Sequence, residues 1–100
     1  MQLRYTQDAL VDLLEISEFI ARDNPTRALS FVDEMKRHCK NLSNMALSSP
    51  IVKELGTDVH RSVFGNYNIY YLVGRDTMVI FGVIEGHRRQ AHALKDRQVE

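Results

Sequence analysis

The side chains able to do chemistry lie mostly in the second half of the sequence. Arg61 and the run His87-Arg88-Arg89 are cations suited to phosphate contacts. His60, Glu85, His87 and His92 are the candidate proton carriers that general acid–base chemistry would need. Each has a plainer reading beside it. A basic pair at a strand end, as at Arg88-Arg89, serves equally well as a solvated edge. Arg61 shares an alternating pattern with Val59 and Val63 yet is charged, so it serves either a structural ion pair with an acid such as Glu85 or a contact with a target. Tyr67, Tyr70 and Tyr71 could stack on bases, although such residues more often build strands and pack on one face with the hydroxyl in water.

Other chemistries find no seat in the chain. The four histidines, at 38, 60, 87 and 92, have no close metal-ligand spacing, and no metal is expected. No glycine-rich loop would cradle a phosphate, so no nucleotide cofactor is expected either. The lone cysteine, Cys39, falls on a helical seam and reads as a buried, inert thiol, because nothing near it in sequence builds an electropositive setting.

The whole-chain properties set the frame for these residues. One hundred residues make one domain with a useful core. Thirteen Lys and Arg balance thirteen Asp and Glu, so attraction to nucleic acid would have to come from local clustering. A single cysteine rules out an intramolecular disulfide, which fits a reducing compartment. Neither a secretory signal nor an apolar run of about 20 residues is visible, so a soluble, cytoplasmic protein is expected.

The elements that must position these side chains follow from periodicity. Gln2 to Tyr5 reads as a short strand, and Thr6 as a helix N-cap with Asp8 in the first turn. Leu10, Leu13, Leu14, Ile16, Phe19 and Ile20 then predict the apolar stripe of a helix running to about Asp23. Asn24-Pro25 caps and opens a second helix, whose seam is Ala28, Val32, Met35, Cys39 and Leu42. So short a connection forces an antiparallel helical hairpin. Residues 43–57 read as a loop. Asp58 to Phe64, Tyr67 to Val73 and Thr77 to Glu85 read as three strands joined by Gly65-Asn66 and Gly74-Arg75-Asp76. The third is apolar on both faces, as a central strand must be. The expected architecture is α+β: a short N-terminal strand, an antiparallel helical hairpin, then a three-stranded antiparallel meander, with the hairpin covering one face of the sheet.

This order of elements resembles the RelE/ParE toxin family, and the resemblance spans nearly the whole chain. Ala9 with Leu13 or Leu14, the Asn24-Pro25 break, and Ala28 with Phe31-Val32 are similar to its two helices. The run from Val59 through Arg61, Gly65 and Asn66 to Tyr70-Tyr71 resembles the family's arginine, glycine and tyrosine-rich strand; Val83-Ile84-Glu85-Gly86-His87-Arg88-Arg89 follows. Arg61 matches an arginine of the family's first meander strand, and Arg88 the arginine after its glycine. Glu85 stands where members often carry histidine, and an acidic residue they often have near Arg89 is replaced by a more basic run.

The resemblance implies a toxin of a type II toxin–antitoxin system, and the family divides by target. RelE-like members cut messenger RNA on the ribosome, which needs a positioned base, cation and acid at the 2′-hydroxyl and phosphate. ParE-like members inhibit DNA gyrase without chemistry of their own. The stretch from His92 to Glu100 lacks the lysine-rich, tyrosine-ending pattern of the nucleases, and neutral net charge suits an RNA-lined site poorly. The ParE-like, non-enzymatic branch is therefore the expectation, with a plasmid-stabilising, growth-arresting role. The alternatives are a ribosome-dependent endoribonuclease and a non-toxic antitoxin-binding or regulatory member. Expected target contacts are Arg61, His87, Arg88 and Arg89, and Phe64, Ile69 and Tyr71 are expected to line an antitoxin groove. Expected partners are a cognate antitoxin, in a hetero-oligomer with the toxin, and gyrase; neither a membrane nor direct nucleic-acid binding without the antitoxin is expected.

Overall fold

A computed structural model of the chain describes residues 1–56, 58–86 and 94–97. Strand β1 (Gln2–Tyr5) leads into helix α1 (Gln7–Ala21). The Thr6 side chain caps α1 by accepting from the Ala9 N–H at 3.1 Å. Helix α2 (Pro25–Leu42) starts as its sequence requires: the Asn24 side chain accepts from the Arg27 N–H, and Pro25 occupies the first turn, where an N–H would be unpaired anyway. A single 3-10 turn (Lys53–Leu55) precedes β2 (Val59–Phe64), β3 (Tyr67–Val73) and β4 (Thr77–Glu85). Gly65, at φ +59°, supplies the left-handed residue that opens the two-residue turn between β2 and β3.

The α+β arrangement expected from the sequence is the one observed, with one addition. The sheet has four strands in the order β1-β4-β3-β2, because β1 pairs in parallel with β4 (Leu3 opposite Met78, Tyr5 opposite Ile80). The apolar third meander strand is thereby central, as its two apolar faces demanded.

Strand alternation divides the sheet into two faces. Ile69, Tyr71, Met78, Ile80 and Val83 point at the hairpin and meet Ala9, Leu13, Ile16, Met35, Cys39 and Leu42 in the main core. Val59, Tyr70, Phe81 and Ile84 point the other way and form a second, smaller core with Val52 and Leu94. A β-bulge makes this possible. Tyr70 pairs with Gly82 but Tyr71 with Ile80, so Phe81 is the extra residue and swings onto the outer face beside Gly82.

The α1 stripe is narrower than its spacing implied. Ala9, Leu13 and Ile16 are buried, whereas Leu10, Leu14 and Phe19 are exposed. A helix lying on a sheet buries only the line that faces it, and the flanking apolar positions are left for other contacts. The α2 seam holds: Ala28, Met35, Cys39 and Leu42 are buried and Val32 is half-buried.

Candidate functional site

Among the described residues, Arg61 and Glu85 are not brought together. Arg61 is exposed on β2, on the outer face, opposite Tyr70. Its guanidinium donates to the Tyr70 hydroxyl, which offsets part of the rise in that hydroxyl's pKa caused by burial. Glu85 lies opposite Tyr67, whose ring packs on the helix side of the sheet. Arg61 and Glu85 thus stand on opposite faces, and the ion pair considered between them is not formed; alternation decides this. His87, Arg88, Arg89 and His92 lie outside the described residues.

The antitoxin-groove candidates need correction. Ile69 and Tyr71 are wholly buried beneath the hairpin and offer no surface to a partner. Phe64 keeps partial exposure and packs its ring against Phe31 and His38. The tyrosines pack as strand formers, in keeping with the plainer reading, but not on one face. Tyr70 and Tyr71, adjacent in sequence, point to opposite faces and are both buried, so neither is available to stack on a base. The Tyr71 hydroxyl stays inside and donates to the Ala46 carbonyl at 2.8 Å.

The described histidines are committed to structure. The His60 ring is buried, stacked on Tyr71 at 5.4 Å, with Nδ1 held at 2.7 Å by the Ser49 carbonyl oxygen. His38 Nε2 is 3.0 Å from the Ser62 hydroxyl, and burial lowers its pKa. Cys39 is buried against the Tyr5 hydroxyl, and desolvation pushes its thiol up to about 11, in keeping with an inert side chain. No group of three potential metal ligands exists among the described residues.

A polar cluster that sequence reasoning missed joins α1, β4 and residues 94–97. Asp12 takes both ends of the Arg97 guanidinium, at 2.6 and 2.9 Å. Its Oδ2 also accepts from the Val83 N–H, while Arg97 donates to the Phe81 carbonyl. The pair therefore satisfies backbone groups at the β4 bulge, beyond the last residue that β1 pairs. Hydrogen bonding to Asp12 raises the Arg97 pKa further above its ordinary value. Beside this pair, Leu94 fills a notch at Gly82, where an added Cβ would come within 2.5 Å of its Cδ2. Nothing in the sequence singled out Asp12, one of four acids on α1.

Two exposed depressions among the described residues are lined largely by apolar side chains. On the hairpin, away from the sheet, a groove of about 450 Å³ runs between Ser17, Glu18 and Ala21 of α1 and Ala28, Leu29 and Val32 of α2. Its walls are mostly small or apolar, with the acids Glu18 and Asp33 among them, and Leu29 is 75% exposed at the rim. At the foot of the hairpin, Met1 and residues 43–48 surround a shallow depression. No helix among the described residues is long and apolar enough to cross a membrane.

Comparison with known proteins places this fold. No curated protein sequence matches the chain. Among solved structures it is similar to a chain described as the chromosomal ParDE TA system from P. aeruginosa, with a TM-score of 0.73, 19% identity, and coverage of 85% of this chain and 95% of that one. At that identity the likeness is one of fold. The family model for the ParE toxin of the type II toxin–antitoxin system, parDE, matches residues 3–91, from β1 through the whole meander, and the chain therefore belongs to the ParE toxin family.

Proposed function

We propose that this protein is a growth-arresting toxin that inhibits DNA gyrase by binding it, without chemistry of its own, and that a cognate antitoxin neutralises it in the cytoplasm. The observation that carries the non-enzymatic reading is the fate of the described proton carriers. His60 is buried and doubly engaged, and Glu85 is turned to the face opposite Arg61, the cation that would have to join it. Cleavage of RNA needs an acid, a base and a cation around one phosphate. Arg61, with His87, Arg88 and Arg89, is proposed as a set of binding contacts.

We infer that the antitoxin binds the hairpin groove. An apolar channel of two small-walled helices suits the apolar face of a partner helix, and Glu18 and Asp33 beside it favour a partner with flanking Lys or Arg. A supercoiling assay with purified protein and gyrase, with and without the antitoxin, tests the reading. Inhibition relieved by the antitoxin is expected. Undisturbed supercoiling together with cleavage of ribosome-bound message would overturn it in favour of the ribonuclease.

A further inference from the structure

Residues 43–52, between α2 and β2, form a loop held from beneath by the sheet. The buried Tyr71 hydroxyl binds the Ala46 carbonyl at 2.8 Å, and the buried His60 ring holds the Ser49 carbonyl at 2.7 Å. The Arg61 N–H donates to the Pro50 carbonyl, and the Val52 N–H to the Val59 carbonyl. Four anchors from β2 and β3 to consecutive parts of one loop fix its backbone. Its large apolar side chains nevertheless point outward. Met45 is 58% exposed, Leu47 74% and Ile51 51%, and Met1 joins them across the depression at 48%. Single exposed apolar residues are ordinary, whereas a group of them on a rigid frame marks a docking surface.

The charges beside the loop narrow the occupant. Lys40 in the last turn of α2, Lys53 in the 3-10 turn and Arg61 on β2 flank it, exposed, and outnumber the neighbouring acids Glu54 and Asp58. The hairpin groove is bordered instead by Glu18 and Asp33, so the two surfaces suit partners of opposite charge. A second copy of the chain is disfavoured, because a symmetric contact would set these cations against themselves. Nucleic acid is disfavoured as well, since Met45, Leu47 and Ile51 gain nothing from phosphates.

We propose that the loop around Met45, Leu47 and Ile51 is the surface by which the protein grips its cellular target, a folded protein offering an apolar pocket rimmed by carboxylates. The inference rests on the toxin reading but not on gyrase being the target. Because the loop is already fixed, docking costs little ordering entropy and resembles rigid insertion of apolar knobs.

The test compares wild type with Met45→Ser/Leu47→Ser and with Leu47→Lys, which keeps the local charge sign. Growth arrest on induction, gyrase inhibition in vitro and calorimetric affinity for the antitoxin are read for each, after thermal melting confirms folding. The expected result is a loss of toxicity of about tenfold or more, as for truncation of an apolar anchor, with antitoxin affinity unchanged within about twofold. Toxicity equal to wild type overturns the proposal, and so does a parallel loss of antitoxin binding. If wild type arrests growth without inhibiting gyrase, the gyrase reading fails while the loop variants still decide this one by growth arrest. A wild type that arrests nothing overturns both.

Discussion

At the residue scale, two positions acquire their meaning from distant neighbours. Gly82 lies in β4 where Leu94 occupies the space of a Cβ at 2.5 Å, and the Arg97 guanidinium is close by. Gly82→Ala should expel Leu94 and cost about 1–3 kcal/mol, the range for overpacking, read as a lower midpoint in urea. His38 is neutral by preference in the fold, because burial lowers its pKa while it hydrogen-bonds Ser62. The sign follows: where the unfolded chain binds a proton that the folded one refuses, stability rises with pH. Stability should therefore fall as pH drops from the unfolded histidine value, about 6.5, through the lower folded value. His38→Gln should flatten that part of a Tm–pH profile, and an unchanged slope would show that another group dominates it. Neither Gly82 nor His38 declared its role in sequence, since each depends on a residue at least twelve positions away.

At the scale of elements, the caps, the periods and the meander were legible, and the pairing of the first strand was not. Thr6 and Asn24-Pro25 began the two helices where their chemistry required, because capping involves only residues three apart. The short N-terminal strand was equally visible, but its parallel partner lies more than seventy residues on, across the hairpin. Nothing local encodes that pairing. The same is true of the segment 94–97, which Arg97 ties to Asp12 on α1 and to the Phe81 carbonyl of β4. Breaking this link with Arg97→Met leaves the Asp12 carboxylate without its cation. Because the pair keeps some solvent contact, the cost should be on the order of 2 kcal/mol, below that of a fully buried pair. Hydrogen exchange should then quicken at the Val83 amide, which Asp12 otherwise holds. Protection equal to wild type would mean that the strand needs no such support.

At the scale of the whole molecule, a net charge of zero conceals an uneven distribution. Helix α1 carries Asp8, Asp12, Glu15 and Glu18 and no Lys or Arg, while the second half of α2 carries Lys36, Arg37 and Lys40. Neutrality leaves the molecule without a strong overall field, yet each surface has a sign of its own. Leu29→Asp in the acid-bordered hairpin groove should weaken antitoxin binding by at least about tenfold, since it sets a charge in an apolar contact. Its Tm should change little, because Leu29 is 75% exposed. Calorimetry with the antitoxin checks the first expectation and thermal melting the second.

The sequence by itself determined the class of the fold, the hairpin, the meander and the family. The fold class, hairpin and meander rest on local physics, namely caps, alternation, turn residues and their order along the chain, whereas the family rests on resemblance to known sequences. Which face each strand residue meets was decided only by the tertiary structure. The bulge at Phe81 resets the alternation of β4, so that a run apolar on both faces is shared between two separate cores. Tyr70 and Tyr71 were legible as strand residues, but their complete burial depends on the hairpin above one and on the 3-10 turn and Leu94 about the other. The candidate site shows the same limit. Exposure, unlike periodicity, belongs to the assembled molecule: the chain carries Leu47 and Ile69 as equally apolar residues, and only packing sets one in water and the other in the core.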